Sequence, residues 1–127
     1  MNSGIEDSKD FAILTNLLTA AWSGKSVKAY KKLKGLHKEN LRDNMTNTEL
    51  ALNLLAEVST TEISRTRQPK GMAQSKEVVL SGGKIAGNAR RELEEELGRS
   101  VISSSNATNP EALDDTTSSD SDNNGKI

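Results

Sequence analysis

Apolar residues recur every three or four positions through most of the chain, the spacing that gives a helix one buried stripe. Phe11, Leu14, Leu18 and Trp22 form the first such stripe, widened by Ile13 and Leu17. Asp7 or Ser8 is the expected N-cap and Ser23-Gly24 the stop. A short second helix over 27–33 sets Val27, Tyr30 and Leu33 against Lys28, Lys31, Lys32 and Lys34, and Gly35 ends it. The interval 36–45 leaves room for one further turn. Thr46, followed three residues later by Glu49, spells a capping box at the mouth of the longest helix, 47–65. Leu50, Ala51, Leu54, Leu55, Val58 and Ile63 predict its core-facing stripe, with Leu52 and Ala56 outside it, so this helix is expected at the centre of the core.

Pro69 and Gly71 mark a boundary, because Pro lacks the donor a helix interior needs and Gly adds chain entropy. A helix over 72–80, a flexible Gly82-Gly83 hinge, and a last helix over 84–97 closed by Gly98 complete the pattern. Ile85, Ala86, Ala89, Leu93 and Leu97 are the apolar positions of that last helix, and Gly83 and Gly87 suit close approach by another backbone. Period-two alternation never runs beyond four residues, which places the chain in the all-α class, a small domain of about four to five helices. The expected organisation is an N-terminal helical bundle over 1–68, the hinge and C-terminal helices over 69–102, and a disordered acidic tail over 103–127. That tail is rich in Ser, Asn, Asp and Thr and cannot bury enough surface to offset its chain entropy.

Composition narrows the chemistry. Hydrophobic residues make up 33% of the 127, against roughly 45% in ordinary domains, so the core is thin and relies on Leu, Ala, Ile and Val. Phe11, Trp22 and Tyr30 are the only aromatics. With no cysteine and one histidine, His37, disulfides, thiolate zinc sites and histidine metal clusters are excluded, and a histidine-activated nucleophile has a poor candidate base. The segment SGGKIAG lacks the spacing of a phosphate loop and follows no strand. Glu92, Glu94, Glu95 and Glu96 read as a solvated face, with Arg90–Glu94 and Arg91–Glu95 pairs at helical spacing. The chain is therefore read as non-enzymatic and without a cofactor. A basic N-terminal leader and an apolar run long enough to span a bilayer are both lacking, which reads as a cytoplasmic protein with no membrane partner.

A net charge of −1 hides a strong asymmetry. Seven basic residues against two acids over 25–43 give +5, seven against one over 65–91 give +6, and the stretch 111–127 carries −4. An acidic tail thus hangs from a basic body, and the two have opposite charge to draw them together. The candidate contact residues are Lys28, Lys31, Lys32, Lys34, Lys38 and Arg42 in the first basic run, and Lys84, Asn88 and Arg91, which share one helix face. Cations at these spacings suit phosphate oxygens or an acidic protein. Tyr30 adds a stacking platform if exposed, and packs in the core if it follows Val27 and Leu33.

Two phrases carry a resemblance. Residues 22–50 contain KGL followed by KENLRDNMT, and residues 82–106 contain GGKIAGNAR with REL and a closing G..V.SS.N. Together they resemble the C-terminal region of BRO-type prophage antirepressors, in particular the DNA-damage-inducible protein D family, over most of residues 11–106. Such proteins usually begin with a BRO domain, which the resemblance places outside this chain. The resemblance implies a regulatory or interaction module in phage repressor control, transcription regulation or the SOS response. Its partner would be a phage repressor, a recombinase filament, another regulatory protein or DNA, with self-association into a homo-oligomer left open. The alternatives are a stand-alone nucleic-acid-binding protein using 25–42 and 65–91, and an inactive truncated remnant.

Overall fold

The computed structural model describes residues 8–105. The cap expected at Asp7 and all of the expected disordered tail from residue 106 onward lie outside the described residues. Four α-helices follow in order: α1 Ser8–Ser23, α2 Val27–Leu33, α3 Asn47–Arg67 and α4 Gly71–Leu97, with a 3-10 turn at Arg42–Asn44 between α2 and α3. Among the described residues there is no strand.

Local chemistry sets most of the boundaries. The Ser26 hydroxyl accepts the Ala29 amide at 3.1 Å to open α2. At α3 the capping box forms in both directions: Glu49 N–H donates to Thr46 Oγ1 at 3.2 Å, and Thr46 N–H donates to Glu49 Oε1 at 2.8 Å. Gln68, with φ of 52°, ends α3, and the chain reverses through Pro69 into α4. Gly98 closes α4 at φ of 72°, a left-handed position that favours glycine.

Helix α4 packs against both α1 and α3 and runs without a break, so the hinge expected at Gly82-Gly83 is a continuous helix. The reason is close packing. A Cβ on Gly82 would stand 2.7 Å from the Thr60 backbone nitrogen and 2.8 Å from its Cα, and one on Gly83 would collide with Ala21. Gly87 faces the Ala21 carbonyl, where a Cβ would sit 3.2 Å away. The glycines are thus the seam along which α4 meets its two neighbours, and Gly83 and Gly87 have the packing role their spacing suggested.

The seam also decides which face of α3 is buried. Glu49, Leu52, Asn53 and Ala56 point inward, whereas Leu54, Leu55 and Val58 are 51%, 37% and 49% exposed. The expected core stripe of α3 is therefore its outer face. Only small or short residues fit where Thr60 lies against Gly82, and Asn53 is drawn inward by the Trp22 indole, whose Nε1–H donates to Asn53 Oδ1 at 3.0 Å. Phe11, at the start of the first predicted stripe, is likewise 53% exposed. The core cluster instead gathers Trp22, Tyr30, Leu36, Leu41, Leu52, Val79 and Ala86, together with Val101 and Ile102 from beyond α4. These last two belong to a strap, residues 99–105, folded back onto the bundle. Ser105 is 1% exposed, so residues 103–105, expected in the disordered tail, belong to this folded strap.

Candidate functional site

Short helix α2 and the loop after it carry the first group of candidate cations. Lys28, Lys32 and Lys38 are exposed and Lys31 is half-buried. Lys31 and Lys32 occupy the last turn of α2, where the helix dipole favours positive charge. Arg42 is half exposed and bonds the Glu57 carboxylate of α3.

Lys34 stands apart. Its side chain is fully buried and its ammonium lies 2.7 Å from Glu49 Oε1, itself fully buried. It also donates to the carbonyls of Ser103 at 2.8 Å and Ser105 at 2.5 Å, while Ser103 N–H donates to Glu49 Oε2 at 3.1 Å. Such saturation is what a buried ion pair needs to offset its desolvation. Lys34 is therefore an internal cation that ties α2, α3 and the strap together, and it leaves the surface group predicted for it. No signal in the neighbouring sequence distinguishes it from Lys31 or Lys32; the partner lies on α3.

Tyr30 is fully buried and meets Trp22 edge to face, with ring centroids 6.2 Å apart and planes at 64°. The Lys34 ammonium lies 5.7 Å from the centre of its ring. Of the two readings of Tyr30, the core holds, and the stacking platform is absent. Burial first, and then the Glu49 carboxylate, push the phenol well above its ordinary range. In the following loop the His37 N–H donates to Glu39 Oε1 at 2.7 Å, and this bond holds the Glu39 carboxyl below its usual range.

Folding also builds a cleft that periodicity does not reveal. A cleft of about 260 Å³ lies between α1, α2, the 3-10 turn and α3, where Leu18, Val27, Leu41 and Met45 meet a larger polar lining that includes Thr15, Asn16, Thr19, Lys31, Arg42 and Glu57. Lys31 and Arg42 thus line the same cleft, with the Glu57 carboxylate beside them. Glu57 is held there by Arg42 and by the Asn53 amide, which donates at 3.2 Å.

The second candidate group lies elsewhere, on the outer face of α4. Lys84, Asn88 and Arg91 are all exposed and share that face, and Arg91 donates to Asn88 Oδ1. Asn88 and Arg91 border an open surface with Glu92, Glu94 and Glu95, so the local charge is mixed. The expected Arg90–Glu94 pair forms at 2.9 Å, and Arg90 Nε–H also donates to the Trp22 carbonyl at 2.8 Å. Arg91 turns to Asn88 in place of the expected Glu95. Glu94 does more than face water: its Oε2 accepts the Val101 N–H at 3.1 Å and so holds the strap. Among the described residues no helix is long and apolar enough to cross a membrane, and no three His, Asp or Glu side chains converge as a metal site would require.

Comparison with curated proteins and with solved structures finds no match. The family model of the DinD C-terminal domain, however, matches residues 1–121. That span takes in all four helices, the strap and both groups of candidate residues, and on it the chain belongs to the DinD C-terminal domain family.

Proposed function

We propose that this chain is a non-enzymatic regulatory module that engages an acidic partner through α2 and the loop after it, in phage repressor control or the DNA-damage response. The observation that carries this reading is a contrast among the cations. Lys34, Arg42 and Arg90 are engaged by carboxylates, whereas Lys28, Lys31, Lys32 and Lys38 have no ion-pair partner among the described residues. Unpaired ammonium groups on one short helix and its loop raise the local potential and speed encounter with a negatively charged surface. A phage repressor, a recombinase filament, another regulatory protein and DNA all offer such a surface, and no cofactor enters.

Changing Lys28, Lys31 and Lys32 together to Ala tests the reading, since Ala preserves the helix while removing the charges. Binding to duplex DNA and to a purified recombinase filament is expected to fall, with circular dichroism and melting temperature unchanged. With DNA as the direct partner, the slope of log affinity against log salt drops by about one unit for each phosphate that is no longer neutralised. Undiminished binding by the triple variant overturns the proposal. The same measurement on Lys84→Ala/Asn88→Ala/Arg91→Ala then assigns the α4 face, and a chain binding neither probe is the inactive remnant.

A further inference from the structure

The way α3 sits on its seam leaves four apolar residues of that helix in water. Ala51, Leu54, Leu55 and Val58 fall at i, i+3, i+4 and i+7, so they form one stripe, and all four are exposed. The other exposed large apolar residues are more scattered: α1 shows Phe11 and Ile13, α2 shows Leu33, and those of α4 are spread over 80–97. Charge limits what covers the stripe. Glu57, the carboxylate nearest to it, is turned to Arg42, and Glu62 and Arg65 stand one to two turns beyond Val58. The outer faces of α2 and α4 carry Lys28, Lys32, Lys84 and Arg91, which two copies of the chain would bring together against repulsion. The α3 stripe has no such barrier.

We propose that a second copy of this chain covers the stripe, with the two α3 helices packed antiparallel about a two-fold axis level with Ala56. In that register Leu54 of each copy lies beside Val58 of the other, the reciprocal pairing that an isologous interface requires, and Ala51 stands opposite Thr61. The ends of the helix choose the antiparallel sense. Glu62 and Arg65 are both exposed and face each other at 3.3 Å, a surface pair that holds neither firmly. Antiparallel packing brings Glu62 to Asn47 and Thr48 of the other copy, in the first turn of α3, where the helix dipole favours a carboxylate. Glu49 in that turn is already neutralised by Lys34. Parallel packing instead sets Glu62 beside Glu62 and Arg65 beside Arg65. A stripe two turns long covers far less than the roughly 800 Å² per partner of a stable complex, so the dimer is weak, with a dissociation constant between about 10 µM and 1 mM.

Analytical ultracentrifugation of the full chain tests this without any other partner. Across that concentration range the weight-average mass is expected to rise from 13.7 kDa toward twice that value. Leu54→Glu is expected to hold it at the monomer mass with unchanged helical circular dichroism, because Leu54 is exposed and the new carboxylates meet near the axis. Disulfide trapping tests the register, since the chain has no cysteine of its own. In the antiparallel pair position 51 lies about 15 Å along the axis from its own copy, as does position 61, and a disulfide spans only about 7 Å between Cα atoms. Neither Ala51→Cys nor Thr61→Cys is therefore expected to cross-link alone, whereas a mixture of the two chains is. Cross-linking of either variant by itself indicates a parallel pair and overturns the proposal. So does a wild type that stays monomeric throughout, or a dimer that Leu54→Glu leaves intact. A chain that dimerises only once residues 107–127 are removed assigns the stripe to that terminal segment and overturns it too.

Discussion

At the scale of single residues, the decisive group is the Lys34–Glu49 pair, because it converts two charges into an internal tie. Replacing Lys34 with Met strands a buried carboxylate and is expected to cost about 3–5 kcal/mol in urea denaturation. Adding Glu49→Leu should recover a large share of that loss, since apolar replacement of both members of a buried pair is often near neutral. Recovery stays incomplete, because Thr46 N–H and Ser103 N–H lose their acceptor. Additive losses in the double-mutant cycle would contradict the pairing. Tyr30 offers a second test at this scale, being the chain's single tyrosine. Its folded pKa lies above that of the unfolded phenol, about 10. The stability it contributes is therefore complete below about pH 10 and is lost as pH rises beyond it, because the unfolded state releases the proton first. Tyrosinate absorbance should appear only together with loss of helical circular dichroism. A reversible titration near pH 10 in the folded protein would show that the phenol is not buried.

At the scale of elements, the glycine seam governs how α4 meets α1 and α3. Helical glycine costs about 1 kcal/mol relative to Ala, so Gly82→Ala would stabilise an isolated helix. In the bundle the new Cβ meets Thr60 backbone atoms at under 3 Å and must push α3 away. A net destabilisation of about 1–3 kcal/mol is expected, the usual range for overpacking. A rise in melting temperature would show that the seam is loose. The two faces of α3 supply a paired test: Leu52→Ala is expected to cost about 2–5 kcal/mol, and Leu54→Ala less than about 1 kcal/mol because half of its surface is already in water. A larger loss for Leu54→Ala than for Leu52→Ala would mean that α3 is turned the other way. Periodicity alone cannot choose between these faces, since Leu52/Ala56 and Ala51/Leu54/Leu55/Val58 both recur at helical spacing. The apolar count favours the second, and the demand for small residues against Gly82 selects the first.

At the scale of the whole molecule, the strap closes the fold from outside the helices. Val101 and Ile102 are 4% and 8% exposed, and burial of two such side chains is worth about 1.5–3 kcal/mol each. A chain ending after Gly98 loses them together with the Ser103 and Ser105 carbonyls that accept from Lys34, and is expected to melt non-cooperatively or at a much lower temperature. Ending the chain after Asn106 retains both and should leave the melting temperature nearly unchanged. Equal melting of the two truncations would show the strap to be ornamental. By itself, the sequence determined the all-α class, the Thr46–Glu49 capping box, the helix boundary at Pro69 and the Gly98 stop, because each is written in side chains within a few residues of where it acts. Tertiary structure decided that Gly82 and Gly83 form a seam and not a hinge, that Lys34 is interior, and that Lys31 and Arg42 share a cleft. Those outcomes depend on which distant backbone, carboxylate or carbonyl arrives beside a residue, and helical periodicity carries no record of that arrival.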